Sequence, residues 1–226
     1  MALFFSGISN MGRRKSSFFS NMSMNTIIII INIAVFIVFG ILWITGIIPI
    51  EFIALNPSNA LNGKYLWTFV TSMFMHGGFF HLFVNMFSLF FVGSLLQRIL
   101  GEKRYLNFYL ISGLFAGLFF VLIAFLTGSG MDSFAVGSSG ALFALIGCLM
   151  LLTPNLPVYI MFIPIPIKMK YAAPGLLFVL WGISLAADIP IGNIAHLGGL
   201  LVGLVYGIYL RNRFKNKTRF IRKKFS

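Results

Sequence analysis

Long, continuously apolar runs alternate with short polar segments along the chain. Five runs are long enough to cross about 30 Å of hydrocarbon, which takes roughly 20 helical residues, and they lie at residues 25–46, 79–99, 105–127, 171–187 and 191–210. A sixth run, 139–153, is shorter than a lipid-facing helix needs. A β-barrel would require short segments of alternating hydrophobicity, whereas these runs are continuous. The pattern predicts an all-α membrane protein, a bundle of six transmembrane helices whose short fourth helix is recessed.

Composition excludes a soluble globular protein of this length. Hydrophobic residues make up 59% of the chain and charged residues only 9%, with 27 phenylalanines. That leaves too few polar side chains to coat a water-facing surface. Because six spans fill most of the 226 residues, we predict a basic N-terminal segment over 1–24, one membrane domain over 25–210 and a basic tail over 211–226.

The basic residues indicate how the helices are oriented. They cluster before the first run, in the second and fourth connections and in the tail, so that only Lys64 of the 17 falls on the opposite side of the membrane. The positive-inside rule then predicts a multi-pass protein of the cell membrane with both termini in the cytoplasm, and with Glu51, Asp132 and Asp188 outside. The net charge of +13 follows from this topology and from attraction to anionic headgroups. No nucleic-acid partner is expected, because no soluble fold accompanies the basic tail.

Two connections carry signals of their own. The first external loop, about 47–78, is apolar but interrupted by turn residues, so we expect it to lie in the membrane interface with Tyr65 and Trp67 at headgroup level. The fourth connection, from Pro154 to Pro174, contains five prolines, which exclude an ordinary helix there.

A candidate nucleophile lies where the short fourth run begins, in the segment Gly137-Ser138-Ser139-Gly140. At a helix start, free N–H groups and the positive end of the helix dipole point toward whatever Ser139 attacks, and such donors stabilise a tetrahedral oxyanion. Gly137 and Gly140 permit a tight turn and the close approach of a substrate backbone. The alternative is structural, because glycine and serine often mediate helix packing in membranes.

A candidate general base lies about half a helix into the last run. His196 is followed by Gly199, Gly203 and Gly207, a stripe of small residues that lets another helix approach closely. If the fourth helix is that neighbour, His196 reaches the Ser139 hydroxyl and acts first as base and then as acid. A histidine that only hydrogen-bonds across helices is the alternative.

His81 and Asn85 lie one turn apart on the second run, and therefore on one helix face. Asn85 offers two N–H donors and His81 one, enough to complete an oxyanion hole beside the Ser139 amide. A polar clamp between helices explains this pair equally well.

The remaining ionisable residues do not extend the site. His76, His81 and His196 have no nearby carboxylates or additional cysteines, so we predict no metal site and no cofactor. Asp132 and Asp188 fall in external loops, which leaves neither as a third member of a triad. The predicted site is a Ser-His dyad that opens toward the external face.

Together these motifs resemble those of the rhomboid intramembrane serine proteases. That family has a histidine and an asparagine four residues apart on the second span, G-x-S-G at the start of the fourth and A-H-x-x-G on the sixth. The matching residues here are His81 with Asn85, Gly137 to Gly140, and Ala195-His196 with Gly199. The resemblance covers about 25–210 and implies a six-helix rhomboid-like bundle. It also implies that Ser139 is the nucleophile, that His196 is the base, and that oxyanion stabilisation comes from His81, Asn85 and the Ser139 amide.

Two residues depart from the family pattern. Rhomboids often have Trp-Arg in the first loop, where this chain has Trp67-Thr68. Four residues after the nucleophile the family commonly has tyrosine, on which the base stacks, and Phe143 keeps the ring without the hydroxyl. We therefore expect the stacking to survive. His76 matches a family histidine with a structural role.

The resemblance implies an endopeptidase that cleaves the transmembrane segments of membrane proteins. Its partners would be those protein substrates and the lipid bilayer. An inactive rhomboid-like protein that binds membrane clients is the main alternative, although such relatives typically lack the serine or the histidine. A small transporter that relays protons through His81 and His196 is a second alternative, but the sequence has neither internal repeats nor intramembrane carboxylates.

Overall fold

A computed structural model describes residues 22–159, 165–187 and 192–225. Its helices are α1 (Met24–Ile44), α2 (Pro57–Leu61), α3 (Thr68–Thr71), α4 (Phe79–Ser88), α5 (Ser94–Leu100), α6 (Glu102–Thr127), α7 (Ser139–Leu152), α8 (Met169–Ala187), α9 (Asn193–Arg213) and α10 (Lys215–Lys224). A 3₁₀ turn covers Ile50–Phe52, a π-helical turn covers Leu89–Gly93, and β1 (Pro157–Val158) pairs with β2 (Ile167–Lys168) in an antiparallel ribbon. Most of the predicted segment 1–24, and Asp188, lie outside the described residues.

Within the described residues, five helical segments are long and apolar enough to cross a membrane: Met24–Ile44, Phe79–Leu100, Glu102–Thr127, Met169–Ala186 and Asn193–Arg213. Each coincides with one predicted run to within a few residues. The sixth run forms α7, which has only 14 residues and spans about 21 Å. The prediction of an all-α bundle with a short fourth helix is confirmed.

Helix α7 lies at the centre of the bundle, and ten consecutive residues from Gly140 to Leu149 are buried. Its main neighbour is α9, and glycines on both helices bring the two backbones together. A Cβ placed on Gly199 would collide with the carbonyl oxygen of Gly140, and one on Gly203 with that of Ala144. A Cβ on Gly147 would lie 2.7 Å from the Leu200 carbonyl oxygen. The predicted small-residue stripe therefore forms the contact with the fourth helix.

The pairing of α7 with α9 also shows where the missing length of α7 falls. The two helices run parallel, because Gly140 faces Gly199 and Ala144 faces Gly203. Gly140 is the second residue of α7 and Gly199 is the seventh of α9, so α7 starts about 7 Å below the start of α9. At the other end, Pro154, which follows α7, and Arg211, in the last turn of α9, line the same cleft. The shortening recesses the end of α7 that carries Ser139.

The second span is interrupted by the π-helical turn between α4 and α5. A π turn displaces backbone carbonyls from their helical partners, and in lipid such a carbonyl must be satisfied by the protein itself. The Asn25 amide on α1 donates to the Leu89 carbonyl at 2.8 Å, and the Tyr105 hydroxyl on α6 donates to Asn25 Oδ1 at 2.5 Å. Gly93 is required here, since a Cβ would lie 2.6 Å from that hydroxyl. One asparagine thus joins three spans.

The proline-rich connection differs from its prediction. The described parts of this connection, residues 154–159 and 165–168, are not helical and form the ribbon, but α8 begins at Met169 and contains Pro174. That part of the prediction is wrong because Pro174 lies in the second helical turn. At this position only one helical hydrogen bond, to the Lys170 carbonyl, is lost.

Candidate active site

Ser139 is the first residue of α7, and the preceding backbone is shaped by Gly137. Gly137 has a φ of +122°, a conformation that side chains disfavour. A Cβ there would also lie 2.9 Å from Cε1 of His81. The Gly137 N–H donates to the Ser72 carbonyl at 2.8 Å, which ties this turn to the first loop. Two separate constraints therefore require glycine just before the candidate nucleophile.

Gly140 serves packing rather than the turn itself. A Cβ at this position would lie 2.7 Å from the Ala116 Cβ on α6, and the Gly140 carbonyl touches α9 at Gly199. We expected Gly140 to allow the approach of a substrate backbone. The close approach that the structure shows is between α7 and its two neighbouring helices.

No described side chain caps the first turn of α7, which begins at Ser139. The first N–H groups of a helix have no carbonyl partner within it. Ser138 precedes the helix, but its hydroxyl faces His76, with 3.5 Å between Oγ and Nε2, instead of capping the first turn. These N–H groups and the helix dipole are therefore directed toward a group that binds at Ser139.

His196 lies opposite Ser139 across the interface between α7 and α9. Its Nε2 is 2.8 Å from Ser139 Oγ, although 57 residues separate the two in sequence. This is the distance expected between a nucleophile and its general base. The ring is buried and belongs to the first turn of α9, not to the middle of the helix as predicted. The predicted position of His196 within the helix was wrong because the helix is shifted relative to the predicted run 191–210. It begins later, at Asn193, and ends later, at Arg213.

Phe143 holds the imidazole in place. The two rings are stacked, with 4.6 Å between the centroids of Phe143 and His196 and 18° between their planes. Among the described residues, His196 Nδ1 has no hydrogen-bond partner. The ring is therefore oriented by packing on one helical turn of α7. Asp132, which we did not expect to join a catalytic triad, lies in the loop before α7. Its carboxylate accepts a hydrogen bond from Ser58 Oγ at 3.0 Å.

His81 approaches Ser139 from α4. A Cβ on Gly137 would lie 3.0 Å from His81 Nε2 and 3.6 Å from Ser139 Oγ, so imidazole and hydroxyl flank this glycine. Asn85 is buried one turn further along α4, and its Nδ2 donates to the His81 carbonyl at 2.8 Å. That bond uses one of its two N–H donors.

A buried polar cluster that the sequence pattern does not predict lies beside the serine. His76 packs edge-on against His81, with 5.1 Å between ring centroids, and contacts Ser138. The buried Tyr109 on α6 lies near both Ser138 and Asn32 of α1, and its hydroxyl has no hydrogen-bond partner among the described residues. Burial, and to a smaller degree the charge of His81, lower the pKa of His76 to about 3, so this imidazole is neutral at physiological pH. The one sequence signal for this cluster is the match of His76 to a family histidine with a structural role.

The first loop is held by aromatic packing. Trp67 Nε1 donates to the Phe52 carbonyl at 3.0 Å, and the Phe52, Tyr65 and Trp67 rings pack with centroids 5.1–5.8 Å apart. Thr68, which stands where the family often has arginine, donates its hydroxyl proton to the Tyr65 carbonyl at 2.7 Å. A tryptophan and a local hydrogen bond therefore anchor this loop in the absence of the arginine.

The first loop also pairs with the segment that leads to Ser139. Leu55 and Ala135 exchange backbone hydrogen bonds of 3.0 and 2.8 Å, and the Ser58 N–H donates to the Met131 carbonyl at 3.0 Å. The first loop thereby supports the turn at Gly137. In the described part of the chain, no group of three or more histidine, cysteine or acidic residues could hold a metal ion.

Comparisons with known proteins identify the family of this chain. The chain matches the family model described as the Rhomboid domain over residues 63–213. It is 33% identical over 145 residues to RHOMBOID-like protein 5 of Arabidopsis thaliana, covering 64% of this chain and 44% of that protein. For RHOMBOID-like protein 6, mitochondrial, of the same plant, identity is 34% over 161 residues, covering 70% and 48%. For Inactive RHOMBOID-like protein 8 of Arabidopsis thaliana, identity is 32% over 139 residues, covering 60% of this chain and 36% of that protein. The chain spans less than half the length of each of these relatives.

The matched range includes the starts of α4, α7 and α9, and with them His81, Asn85, Ser139 and His196. It accounts for about two thirds of the chain. The five long apolar helices and the buried short one are those expected of a multi-pass membrane protein of this kind. The chain belongs to the rhomboid family.

Proposed function

We propose that this chain is an intramembrane serine endopeptidase, with Ser139 as nucleophile and His196 as general base. The observation that carries the proposal is the 2.8 Å separation of Ser139 Oγ and His196 Nε2 at the recessed start of α7. A serine hydroxyl is a weak nucleophile unless an adjacent base accepts its proton. Packing alone does not require this pairing.

The chemistry follows from the positions of these groups. Ser139 Oγ attacks the scissile carbonyl while His196 Nε2 accepts its proton, and the carbonyl oxygen becomes an oxyanion. The Ser139 N–H, His81 and the free N–H of Asn85 donate hydrogen bonds to that oxyanion. His196 then protonates the departing amine as the C–N bond breaks. A water molecule, deprotonated by His196, releases the acyl group from Ser139.

The proposed substrates are transmembrane segments of other membrane proteins. A helix hides its carbonyls within its own hydrogen bonds, so a substrate must unwind locally before Ser139 can attack. Small or helix-breaking residues lower the cost of unwinding. We further propose that the protein lies in the cell membrane, with both termini in the cytoplasm and Ser139 nearer the external face.

Labelling with a fluorophosphonate tests the proposal. This reagent forms a stable bond to an activated serine, and mass mapping identifies the residue. We expect modification of Ser139 in the purified protein and none when His196→Ala removes the base. The neighbouring Ser138 is an internal control, because its hydroxyl faces His76 instead. One matched relative is named inactive, and an unlabelled Ser139 in folded protein would assign this chain to an inactive, client-binding class.

A further inference from the structure

The C-terminal helix α10 has two chemically different faces. Lys215, Arg219 and Arg222 recur at positions i, i+4 and i+7 and therefore form one stripe. Lys217, Phe220, Ile221 and Lys224 occupy the opposite face. Thr218 lies beside the basic stripe and is buried, so this side of α10 faces the protein. Its hydroxyl donates to the Phe214 carbonyl, one turn earlier, at 3.1 Å.

The basic stripe forms one wall of a cleft at the end of the bundle. The cleft has a volume of about 430 Å³, and its lining residues are Pro154, Asn155, Arg211, Lys215, Thr218, Arg219, Arg222 and Lys223. They come from the last turn of α9, from α10 and from the turn that follows α7. The cleft therefore lies at the end of α7 opposite Ser139.

The charge of the lining is one-sided. Five of the eight lining residues are basic and none is acidic. Holding several cations around one cavity is electrostatically unfavourable without an anion between them. Three of these cations are arginines, whose planar guanidinium groups donate paired hydrogen bonds to phosphate oxygens. This composition selects a phosphate-bearing ligand over a carboxylate, because a phosphate offers oxygens to several arginines at once.

The depth of the cleft identifies the source of the phosphate. The part of α9 before its arginines, from Asn193 to Leu210, is about 27 Å long, close to the hydrocarbon thickness of a bilayer. Arg211 follows the buried Leu210 directly, at the point where the apolar span ends. The cleft therefore begins at the level of lipid headgroups.

The junction between α9 and α10 is fixed, so the cleft is preformed. The guanidinium groups of Arg104 on α6 and Arg213 on α9 lie 5.4 and 5.8 Å from the ring centroid of Phe214, the residue between the two helices. Two cation–π contacts of this kind stabilise the position of the ring. The direction of α10, and with it the basic stripe, is set before any ligand binds.

We propose that this cleft binds the headgroup phosphate of an anionic phospholipid through Arg211, Arg219 and Arg222. A lipid bound there connects α10 to the end of α7, the helix whose other end carries Ser139. Because the ligand binds only the folded protein, it stabilises that state. The inference is independent of the proposed protease activity.

The test uses the purified, delipidated full-length chain and a pair of variants matched in charge. Arg219→Gln with Arg222→Gln removes two cations from the cleft, whereas Lys217→Gln with Lys224→Gln removes two from the opposite face of α10. Native mass spectrometry counts retained phosphatidylglycerol against phosphatidylcholine, and thermal melts measure the stabilisation. We expect phosphatidylglycerol to raise the melting temperature by roughly 5 °C in wild type and in the lysine variant. In the arginine variant we expect at least about a tenfold loss of lipid affinity.

Each other outcome contradicts the proposal. Equal losses in both double variants would show a diffuse attraction of the basic tail to anionic lipid, with no specific cleft. Stabilisation by inorganic phosphate at the same concentration would assign the cleft to a soluble anion. If the arginine variant does not fold in phosphatidylcholine, Arg211→Gln alone tests the cleft from α9, and undiminished lipid binding by that variant would overturn the proposal. Arg219→Lys with Arg222→Lys keeps the charge, and we expect it to retain only part of the affinity.

Discussion

At the scale of single residues, Ser139 and His196 form a unit that neither residue makes alone. We expect Ser139→Ala to lower cleavage of a model transmembrane substrate by at least about 10⁴-fold, with no change in melting temperature, since the side chain contributes little packing. His196→Ala is expected to be equally inactive and the double variant no worse, because each change disables the same step. Turnover by all three purified variants is the measurement. Losses that add in the double variant would show that the two residues act separately.

Substitution of Asn85 distinguishes its two possible roles, stabilisation of the oxyanion and a polar clamp between helices. If its free N–H stabilises charge that exists only in the transition state, we expect Asn85→Ala to lower kcat by roughly 10- to 1000-fold with KM nearly unchanged. A clamp predicts the opposite result, because one hydrogen bond in a membrane protein contributes only about 0.6 kcal/mol to stability. Comparing kcat, KM and melting temperature separates the two. Normal turnover with reduced stability would make Asn85 a scaffold residue.

At the scale of helices, the packing of α7 on α9 depends on glycine. A Cβ on Gly203 would meet the Ala144 backbone, which cannot move without shifting α7. Because overpacking costs about 1–3 kcal/mol, we expect Gly203→Ala to lower the melting temperature by roughly 3–10 °C and to reduce activity by displacing Ser139 from His196. Gly182→Ala on α8 is the matched control, since a Cβ there meets nothing within 4 Å. Equal effects of the two changes would contradict a close-packed interface.

The sequence predicts a structural feature when neighbouring residues determine it, and fails to predict it when residues distant in sequence determine it. The runs and the start of α7 were predictable because hydrophobic length and the Gly-Ser-Ser-Gly turn are local signals. The π turn at Leu89–Gly93 was not, because the group that satisfies it, Asn25, lies 64 residues earlier. The contact of Ser139 with His196 followed from the glycine stripe on α9. The cluster of His76, Ser138 and Tyr109 had no such signal, since a loop and two helices bring it together.

At the scale of the whole molecule, the orientation in the membrane can be tested by labelling introduced cysteines, because the chain has only one cysteine of its own. Cys148 is fully buried, so its thiol gives no background with a membrane-impermeant maleimide. We expect Lys64→Cys to be labelled from outside intact cells and Lys224→Cys only after the membrane is opened, because the positive-inside rule places them on opposite sides. Labelling of both from the same side would contradict the predicted topology.

The 7 Å offset between the starts of α7 and α9 has a consequence for the products of the proposed reaction. A helix rises 1.5 Å per residue, so a substrate segment that enters level with α9 presents about its fifth residue at Ser139. A span of roughly 20 residues is then divided unequally. The longer fragment keeps about 15 apolar residues and stays embedded, whereas the shorter one retains too few to remain and departs into water. A nucleophile that lies close to the membrane surface therefore releases the shorter fragment of its substrate from the membrane and leaves the longer fragment behind.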